Sequence, residues 1–152
     1  MDRAALDAAL ELGLYSGGWC PKGRRAEDGP ISEQYPLRET PSHAYGQRTE
    51  WNVRDSDATL ILTRGGELCG GTRLTAEFGV AYGRPLRILD LSSDLTGAEV
   101  RSWLQENSVR VLNVAGPRQD SEPGIYAEAK AFLLLLLSTM LDNRSSNSLS
   151  RF

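Results

Sequence analysis

Glycine and hydroxyl groups are concentrated at one junction of the chain in a way that suits the binding of an anion. Residues 65–72 read Gly-Gly-Glu-Leu-Cys-Gly-Gly-Thr and lie between an apolar run and a helical pattern. Paired glycines let backbone N–H groups approach a negative charge, and Thr72 adds a hydroxyl at the helix start. We therefore expect Gly70, Gly71 and Thr72 to contact an anionic ligand. The alternative is a plain turn that Thr72 caps.

A second junction follows a later apolar run and ends in an arginine. Residues 113–118 read Asn-Val-Ala-Gly-Pro-Arg. A guanidinium just beyond a buried strand can bind two phosphate oxygens at once, so we expect Asn113, Gly116 and Arg118 to belong to the same site. A surface arginine in a loop is the alternative. At a third junction, Asp90 could hold a ribose hydroxyl or cap a helix.

The basic residues are strongly biased toward arginine. Fifteen arginines stand against two lysines. Guanidinium groups match pairs of phosphate oxygens, although codon bias in a GC-rich genome would produce the same excess. One basic cluster, Lys22, Arg24 and Arg25, falls in an early loop. Taken alone, that cluster is as typical of a solvated face as of a binding pocket.

Composition and charge disfavour several other classes of protein. The 152 residues, 40% hydrophobic and 24% charged, describe an ordinary globular domain. The net charge of −3 argues against a nucleic-acid partner. One histidine, His43, and the wide separation of Cys20 from Cys69 argue against a zinc site and a disulfide framework. The sequence shows no secretory signal, so we expect a cytoplasmic protein. It also shows no nucleophile elbow or Walker motif, so no known catalytic motif is visible.

The elements that must position these residues alternate between helical and strand-like patterns. Helices are predicted over 2–12, 43–54, 72–82, 96–107 (with a capping box at Thr96 and Glu99) and 125–141, and strands over 15–19, 58–63, 86–91 and 109–115. Residues 20–43 contain four prolines and no periodic segment, so they are predicted to form a loop. Strands separated by helices predict an α/β fold, with a parallel sheet and helices on both faces. We expect one domain, 1–142, and a flexible polar tail, 143–152.

The final helix is apolar on every side. Phe132 precedes five consecutive leucines, 133–137. This run is too short for a bilayer, which needs about 20 residues, so no membrane partner is expected. A helix that is apolar all round is usually buried in a core or in an interface. We therefore expect a homo-oligomer that associates through this helix.

Five stretches of the sequence together resemble one known family. They are Gly17–Ile31 (GGWCPKGRRAEDGPI), Tyr35–Thr40 (YPLRET), Gln47–Asp57 (QRTEWNVRDSD), Gly70–Thr72 (GGT) and Leu112–Arg118 (LNVAGPR). The chain resembles the putative molybdenum carrier family, a Rossmann-like group related to nucleotide-binding proteins once labelled lysine decarboxylases. The resemblance covers residues 2 to 133 and implies a Rossmann-like homo-oligomer. The implied ligand is molybdenum cofactor (molybdopterin) or a similar phosphate-bearing pterin or nucleotide. The implied pocket residues are Lys22, Arg24, Arg25, Arg48, Glu50 and Asn52.

The sequence departs from the family pattern in two places. The family opens with a strand and a Gly-Gly-Gln-Thr-Gly loop, whereas Met1 here directly precedes Asp2. We therefore expect the first strand of the sheet to be missing and the natural coding region to start upstream. Related phosphoribohydrolases carry an acidic residue shortly after their glycine-rich loop, whereas here Glu77 comes five residues after Thr72.

Two alternatives to a carrier function remain open at this point. One is a hydrolase of nucleotide N-glycosidic bonds, in which Glu77 or Glu50 would act as the general acid/base within hydrogen-bond reach of the substrate. The other is a degenerate paralogue that binds no ligand.

Overall fold

A computed structural model describes residues 1–26, 29–93 and 97–148, with side chains up to residue 142. The helices in this part of the chain are α1 (Asp2–Glu11), α2 (Tyr45–Arg54), α3 (Gly70–Ala81), α4 (Gly97–Glu106) and α5 (Ile125–Ser148). The strands are β1 (Gly18–Cys20), β2 (Arg25–Ala26), β3 (Gly29–Pro30), β4 (Leu37–Glu39), β5 (Ala58–Thr63), β6 (Leu86–Asp90) and β7 (Leu112–Ala115).

The main sheet is parallel, with β5 between β6 and β7. All six residues of β5 are buried, as expected of a strand with helices on both faces. Successive side chains point to opposite faces. Leu60 and Leu62 join a core that includes α1, α4 and α5, while α3 packs on β5 and β6 from the other side, with α2 against α3. This arrangement confirms the predicted α/β fold.

Residues 20–43 contain short strands that the sequence analysis missed. β1 pairs with β4 in parallel, and β2 pairs with β3 in antiparallel orientation. The prediction of a loop was wrong because strands of two or three residues are too short to show a period. The Arg24 side chain organises the segment by donating to four backbone carbonyls, those of Ile31, Ser32, Tyr35 and Leu37, at 2.8–3.2 Å.

Several element ends differ from their predicted positions. The strand predicted over 15–19 lies at Gly18–Cys20, and the one predicted over 109–115 begins at Leu112. α5 continues to Ser148, beyond its predicted end at 141, so residues 143–148 of the predicted tail are helical. Thr96 of the predicted capping box and residues 149–152 lie outside the described residues.

The most deeply buried residues of α5 lie on one side of the helix. Ile125, Ala129, Leu133 and Leu136 are each at most 1% exposed and form one stripe against the core. Among the helices that the structure describes, none is long and apolar enough to cross a membrane.

Candidate functional site

Positive charge is concentrated around the ring of Tyr45, the first residue of α2. The guanidinium carbons of Arg25, Arg118 and Arg48 lie 5.8, 5.9 and 6.0 Å from the ring centroid. These arginines come from β2, from the loop after β7 and from α2. A ring face attracts a cation by about 0.5–1 kcal/mol at an exposed site, so the three guanidinium groups can lie close together around the ring. This arginine cluster (Tyr45, Arg25, Arg48 and Arg118) is therefore suited to an anion.

Gly116 directs the loop that carries Arg118. A Cβ atom at this position would lie 2.3 Å from the Leu62 carbonyl oxygen and 2.8 Å from Cε of Met1, which no side chain can tolerate. Because residue 116 is glycine, the chain leaving β7 passes directly over the carboxyl end of β5. This close approach brings Pro117 and Arg118 to the edge of the sheet where parallel α/β folds bind ligands.

An acidic residue lies against the arginine cluster. Nη1 of Arg48 donates to the carboxylate of Asp2, the first residue of α1. Burial acts to raise the pKa of Asp2, but the charge and hydrogen bond of Arg48 help to hold this pKa below its usual value. Nε of Arg48 is buried and has no hydrogen-bond partner within the described residues. A buried donor without an acceptor costs about 1–3 kcal/mol of stability.

An open cleft of about 300 Å³ adjoins the cluster on the side of the early loop. Lys22, Arg25 and His43 supply its polar side chains. Nδ1 of His43 lies 3.1 Å from the Lys22 carbonyl oxygen, so the loop and the start of α2 are held together. Arg25 belongs to both the cleft and the arginine cluster. The structure thus brings together Lys22, Arg25, Arg48 and Arg118 from the set that the sequence indicated.

A second, smaller cleft lies at the glycine-rich junction. This α3 cleft is lined by Thr63, Gly65, Glu67, Leu68, Cys69, Thr72, Pro117 and Glu122. Thr72 is buried there, whereas Gly70 and Gly71 are exposed in the first turn of α3. Pro117 connects the α3 cleft to the arginine cluster because it directly precedes Arg118. The α3 cleft differs in charge from the arginine cluster, since two carboxylates line it.

Glu122 is the more deeply placed of these two carboxylates. Its Oε2 atom is buried and has no hydrogen-bond partner within the part of the chain that the structure describes. Glu67 is exposed at the rim. A buried carboxylate oxygen accepts hydrogen bonds and cannot donate them when ionised. The described residues thus leave one buried acceptor unpaired at the α3 cleft and one buried donor unpaired in the arginine cluster.

Two of the predicted site residues, Arg24 and Asn52, make hydrogen bonds that hold the fold together. Arg24 is engaged by the four carbonyl oxygens described above. The side-chain amide of Asn52 binds the backbone of Trp19, with Oδ1 accepting from the N–H at 2.8 Å and Nδ2 donating to the carbonyl at 3.0 Å. Gly18 has φ +135°, and its Cβ would lie 2.8 Å from Asn52 Oδ1. The contacts of Asn52 hold β1 against α2. Arg24 and Asn52 are therefore not members of the arginine cluster.

Two further predicted residues bond within the fold. The Asn113 amide donates to Thr59 Oγ1 at 3.2 Å, between β7 and β5. Glu50 accepts a hydrogen bond of 2.6 Å from the Tyr82 hydroxyl, which raises the pKa of Tyr82. Asp90 accepts from the backbone N–H and the hydroxyl of Ser92. Asp90 thus forms a local turn with Ser92, whereas α4 begins at Gly97.

Sequence reasoning missed three residues of the site: Asp2, Tyr45 and Glu122. Tyr45 had one available signal, because it precedes Arg48 by three residues and therefore shares a helix face with it. Asp2 gave no such signal, since its partner Arg48 is 46 residues away, and nothing in the local pattern of Glu122 indicates its burial. Within the described residues, no group of three His, Cys, Asp or Glu side chains could hold a metal ion.

Comparisons with known proteins agree with this architecture. The model of the circularly permutated YpsA SLOG family matches residues 1–137. Among solved structures, the chain is similar to a protein from Syntrophus aciditrophicus SB described as a putative molybdenum carrier protein, known from a crystal structure at 1.45 Å resolution. The two sequences are 42% identical, the match covers 89% of this chain and 86% of that chain, and the TM-score is 0.83.

No curated protein matches the chain. The family model covers most of its length, and the structural similarity confirms both the Rossmann-like fold and the resemblance to molybdenum carriers. The chain belongs to the circularly permutated YpsA SLOG family, and within it to the group of putative molybdenum carriers.

Proposed function

We propose that this protein binds and carries molybdenum cofactor or a similar phosphate-bearing pterin or nucleotide. The anionic end of the ligand would lie on the arginine cluster. The observation that carries the proposal is the convergence of three guanidinium groups from separate elements on the single ring of Tyr45. The name of the Syntrophus relative supports a molybdenum-related ligand.

The chemistry of the cluster matches a phosphate or another oxyanion. Guanidinium groups bind such anions through two parallel N–H donors. Nε of Arg48 has no acceptor among the residues that the structure describes, and Lys22 adds a further cation in the adjoining cleft. The ligand would therefore gain several charge-assisted hydrogen bonds at one end.

The positions of the acidic residues favour a carrier over the hydrolase alternative. Glu77 is 58% exposed and lies 3.3 Å from Arg73 on the same helix, and Glu50 is bonded to Tyr82. A general acid/base must lie within hydrogen-bond reach of the substrate, and neither of these carboxylates belongs to the arginine cluster. Release of free base from nucleoside monophosphates, abolished by Glu77→Gln, would overturn the carrier proposal.

Substitution of Arg118 tests the proposed function directly. Arg118→Ala should weaken the binding of inorganic phosphate, measured by calorimetry, by about 1.5–3 kcal/mol, the usual value for a hydrogen bond to a charged group. The melting temperature without ligand should barely change, because Arg118 is exposed. Arg110→Ala, which alters another exposed loop arginine, is the matched control. Equal affinity for phosphate in the parent and in Arg118→Ala would remove this residue from the site.

The identity of the ligand requires a separate experiment. Native mass spectrometry of the protein purified from its own host should show a bound species whose mass matches a phosphate-bearing pterin or nucleotide. We also propose that the protein works in the cytoplasm and as a homo-oligomer. Leu135 of α5, which is 65% exposed although Leu133 and Leu136 on the same helix are buried, supports self-association.

A further inference from the structure

The loop between β7 and α5, residues 116–124, carries Arg118 and is tied down near its far end by Arg64. Arg64 directly follows β5, at the carboxyl end of that strand. Its Nη1 atom donates to the carbonyl oxygen of Pro123 at 2.7 Å. Nε donates to one carboxylate oxygen of Glu128, in the first turn of α5, at 2.8 Å, and Nη2 donates to the other oxygen. One guanidinium therefore joins the end of β5 to the Arg118 loop and to α5.

The backbone of the loop is shaped to admit this guanidinium. Gly124 has φ +88°, and a Cβ atom at this position would lie 2.9 Å from Nη2 of Arg64. Glycine adopts the left-handed conformation without strain and leaves room for the close approach. The form of the ion pair also matters, because exposed pairs contribute little to stability unless their geometry is good, as when guanidinium and carboxylate meet through two hydrogen bonds. Arg64 and Glu128 meet in this way.

A backbone hydrogen bond carries the constraint from Pro123 back to Arg118. The carbonyl oxygen of Arg118 accepts from the N–H of Glu122 at 3.0 Å. Glu122 directly precedes Pro123, so the turn that holds the backbone of Arg118 ends beside the residue that Arg64 binds. At its other end the loop is set by the close approach of Gly116 to β5. The Arg118 loop is therefore fixed on both sides of Arg118.

We infer that Arg64 is a positioning residue for anion binding, which holds the Arg118 loop so that the Arg118 guanidinium stays beside the ring of Tyr45. Arg118 lies 5.9 Å from the ring centroid, whereas each side-chain nitrogen of Arg64 donates to Pro123 or Glu128. Arg64 thus acts on the ligand through Arg118. The inference rests on the proposed function, which supplies the anion on the arginine cluster.

A double-mutant cycle with Arg118 tests this role. Arg64→Met removes the donors and keeps an unbranched side chain. It should weaken the binding of inorganic phosphate about tenfold in calorimetry, but less than about twofold when Arg118→Ala is already present. A general loss of stability would weaken binding equally in both backgrounds. Arg101→Met, which removes an arginine that donates to Thr139 of α5 at 3.2 Å, is the control and should bind phosphate as the parent does.

Hydrogen exchange measures the same constraint without a ligand. In Arg64→Met, the backbone N–H groups of Ser121 and Glu122, which both donate to the Arg118 carbonyl, should exchange faster than in the parent. The N–H groups of α2 should keep the rates of the parent. Unchanged exchange at Ser121 and Glu122 would overturn the inference, and so would an equal loss of phosphate affinity in both backgrounds.

The outcomes separate this inference from the proposed function. If Arg118→Ala weakens phosphate binding and Arg64→Met does not, the positioning role is wrong and the arginine site stands. If the parent binds no phosphate, both proposals fail, whatever the exchange rates of the loop. Glu128→Gln is a milder second variant that keeps Arg64, and it replaces Arg64→Met in the cycle if that variant does not fold. Its coupling to Arg118→Ala should be smaller and of the same sign, and a coupling of zero would overturn the inference.

Discussion

Arg48 and Asp2 form an ion pair that links the first turn of α2 to the first residue of α1. The pair engages Nη1 of the guanidinium, whereas the buried Nε has no partner within the described residues. Nε and Nη2 present their N–H groups side by side, in the geometry that binds two oxygens of one anion. Asp2 therefore fixes the orientation of Arg48 through Nη1 and leaves Nε without a protein acceptor within the described residues.

Replacing Arg48 by lysine separates the effect of this edge from the effect of charge. Arg48→Lys should weaken phosphate binding about tenfold, because an ammonium keeps the charge but lacks the fork. Calorimetry measures the change. Arg54→Lys, at the other end of α2 where Arg54 lies 4.7 Å over the Trp51 ring, is the control and should bind phosphate as the parent does. An unchanged dissociation constant in Arg48→Lys would show that its fork does not contact the anion.

Gly116→Ala should destabilise the fold. The new Cβ would meet the Leu62 carbonyl oxygen at 2.3 Å, and main-chain atoms cannot move aside cheaply. We expect a loss of about 1–3 kcal/mol in the free energy of unfolding, the usual cost of overpacking, measured by urea denaturation. Gly71→Ala, where a Cβ meets nothing within 4 Å, should be neutral or stabilising within α3. Equal stability of both variants would contradict the close packing at Gly116.

Leu135→Glu should disrupt the proposed homo-oligomer. A charge at this exposed position of α5 leaves the core intact, since the core side of the helix is formed by Leu133 and Leu136. Light scattering should give at least a dimer for the parent and a monomer near 16.7 kDa for the variant. Val80→Glu changes another residue that is 76% exposed, on α3, and should keep the parent's mass. Dissociation by Val80→Glu alone would place the interface on α3, and a monomeric parent would end the proposal.

Asp57 should contribute to stability in a pH-dependent way. Its carboxylate accepts hydrogen bonds from the backbone N–H groups of Val111 and Arg110 at 2.8 and 2.9 Å, and these bonds lower the pKa of Asp57. A carboxyl group with a lowered folded-state pKa stabilises the native state above its unfolded pKa of about 3.9. This contribution is lost as the pH falls through the folded-state value.

Thermal unfolding between pH 7 and pH 2 tests this expectation. Asp57→Asn should melt below the parent at pH 7, and the difference should shrink as the parent loses the contribution of its carboxylate. Glu106→Gln, at an exposed residue of α4, should follow the parent across the range. If the difference in melting temperature between Asp57→Asn and the parent stays constant across this pH range, protonation of Asp57 does not act through these hydrogen bonds.

The sequence was sufficient where one long-range environment acts on a whole element. Residues 58–63 are apolar or threonine throughout because β5 has helices on both faces, and the predicted bounds of this strand agree with the structure. The sequence was insufficient over residues 20–43. The conformation of this segment depends on Arg24, which donates hydrogen bonds to carbonyl oxygens up to 13 residues away. Nothing in the local pattern of Arg24 distinguishes this role from that of a surface cation.

The sequence also predicted only part of the candidate site. Residue types correctly indicated an excess of guanidinium groups, but they did not reveal which of them converge. Tyr45 reads as an ordinary aromatic at a helix start, although three arginines surround it. Glu122 reads as a loop carboxylate, and only the fold shows that one of its oxygens is buried without a partner within the described residues.

Within the described residues, the Arg24 side chain donates its hydrogen bonds to main-chain oxygens, at residues 31, 32, 35 and 37. Every amino acid presents the same carbonyl group, so these contacts do not depend on the side chains of the residues that supply them. The shape of the segment that carries Arg25 into the arginine cluster can therefore be inherited while the intervening residues change. In this segment, evolution can change the side chains near the proposed ligand site while the backbone conformation that positions Arg25 is kept.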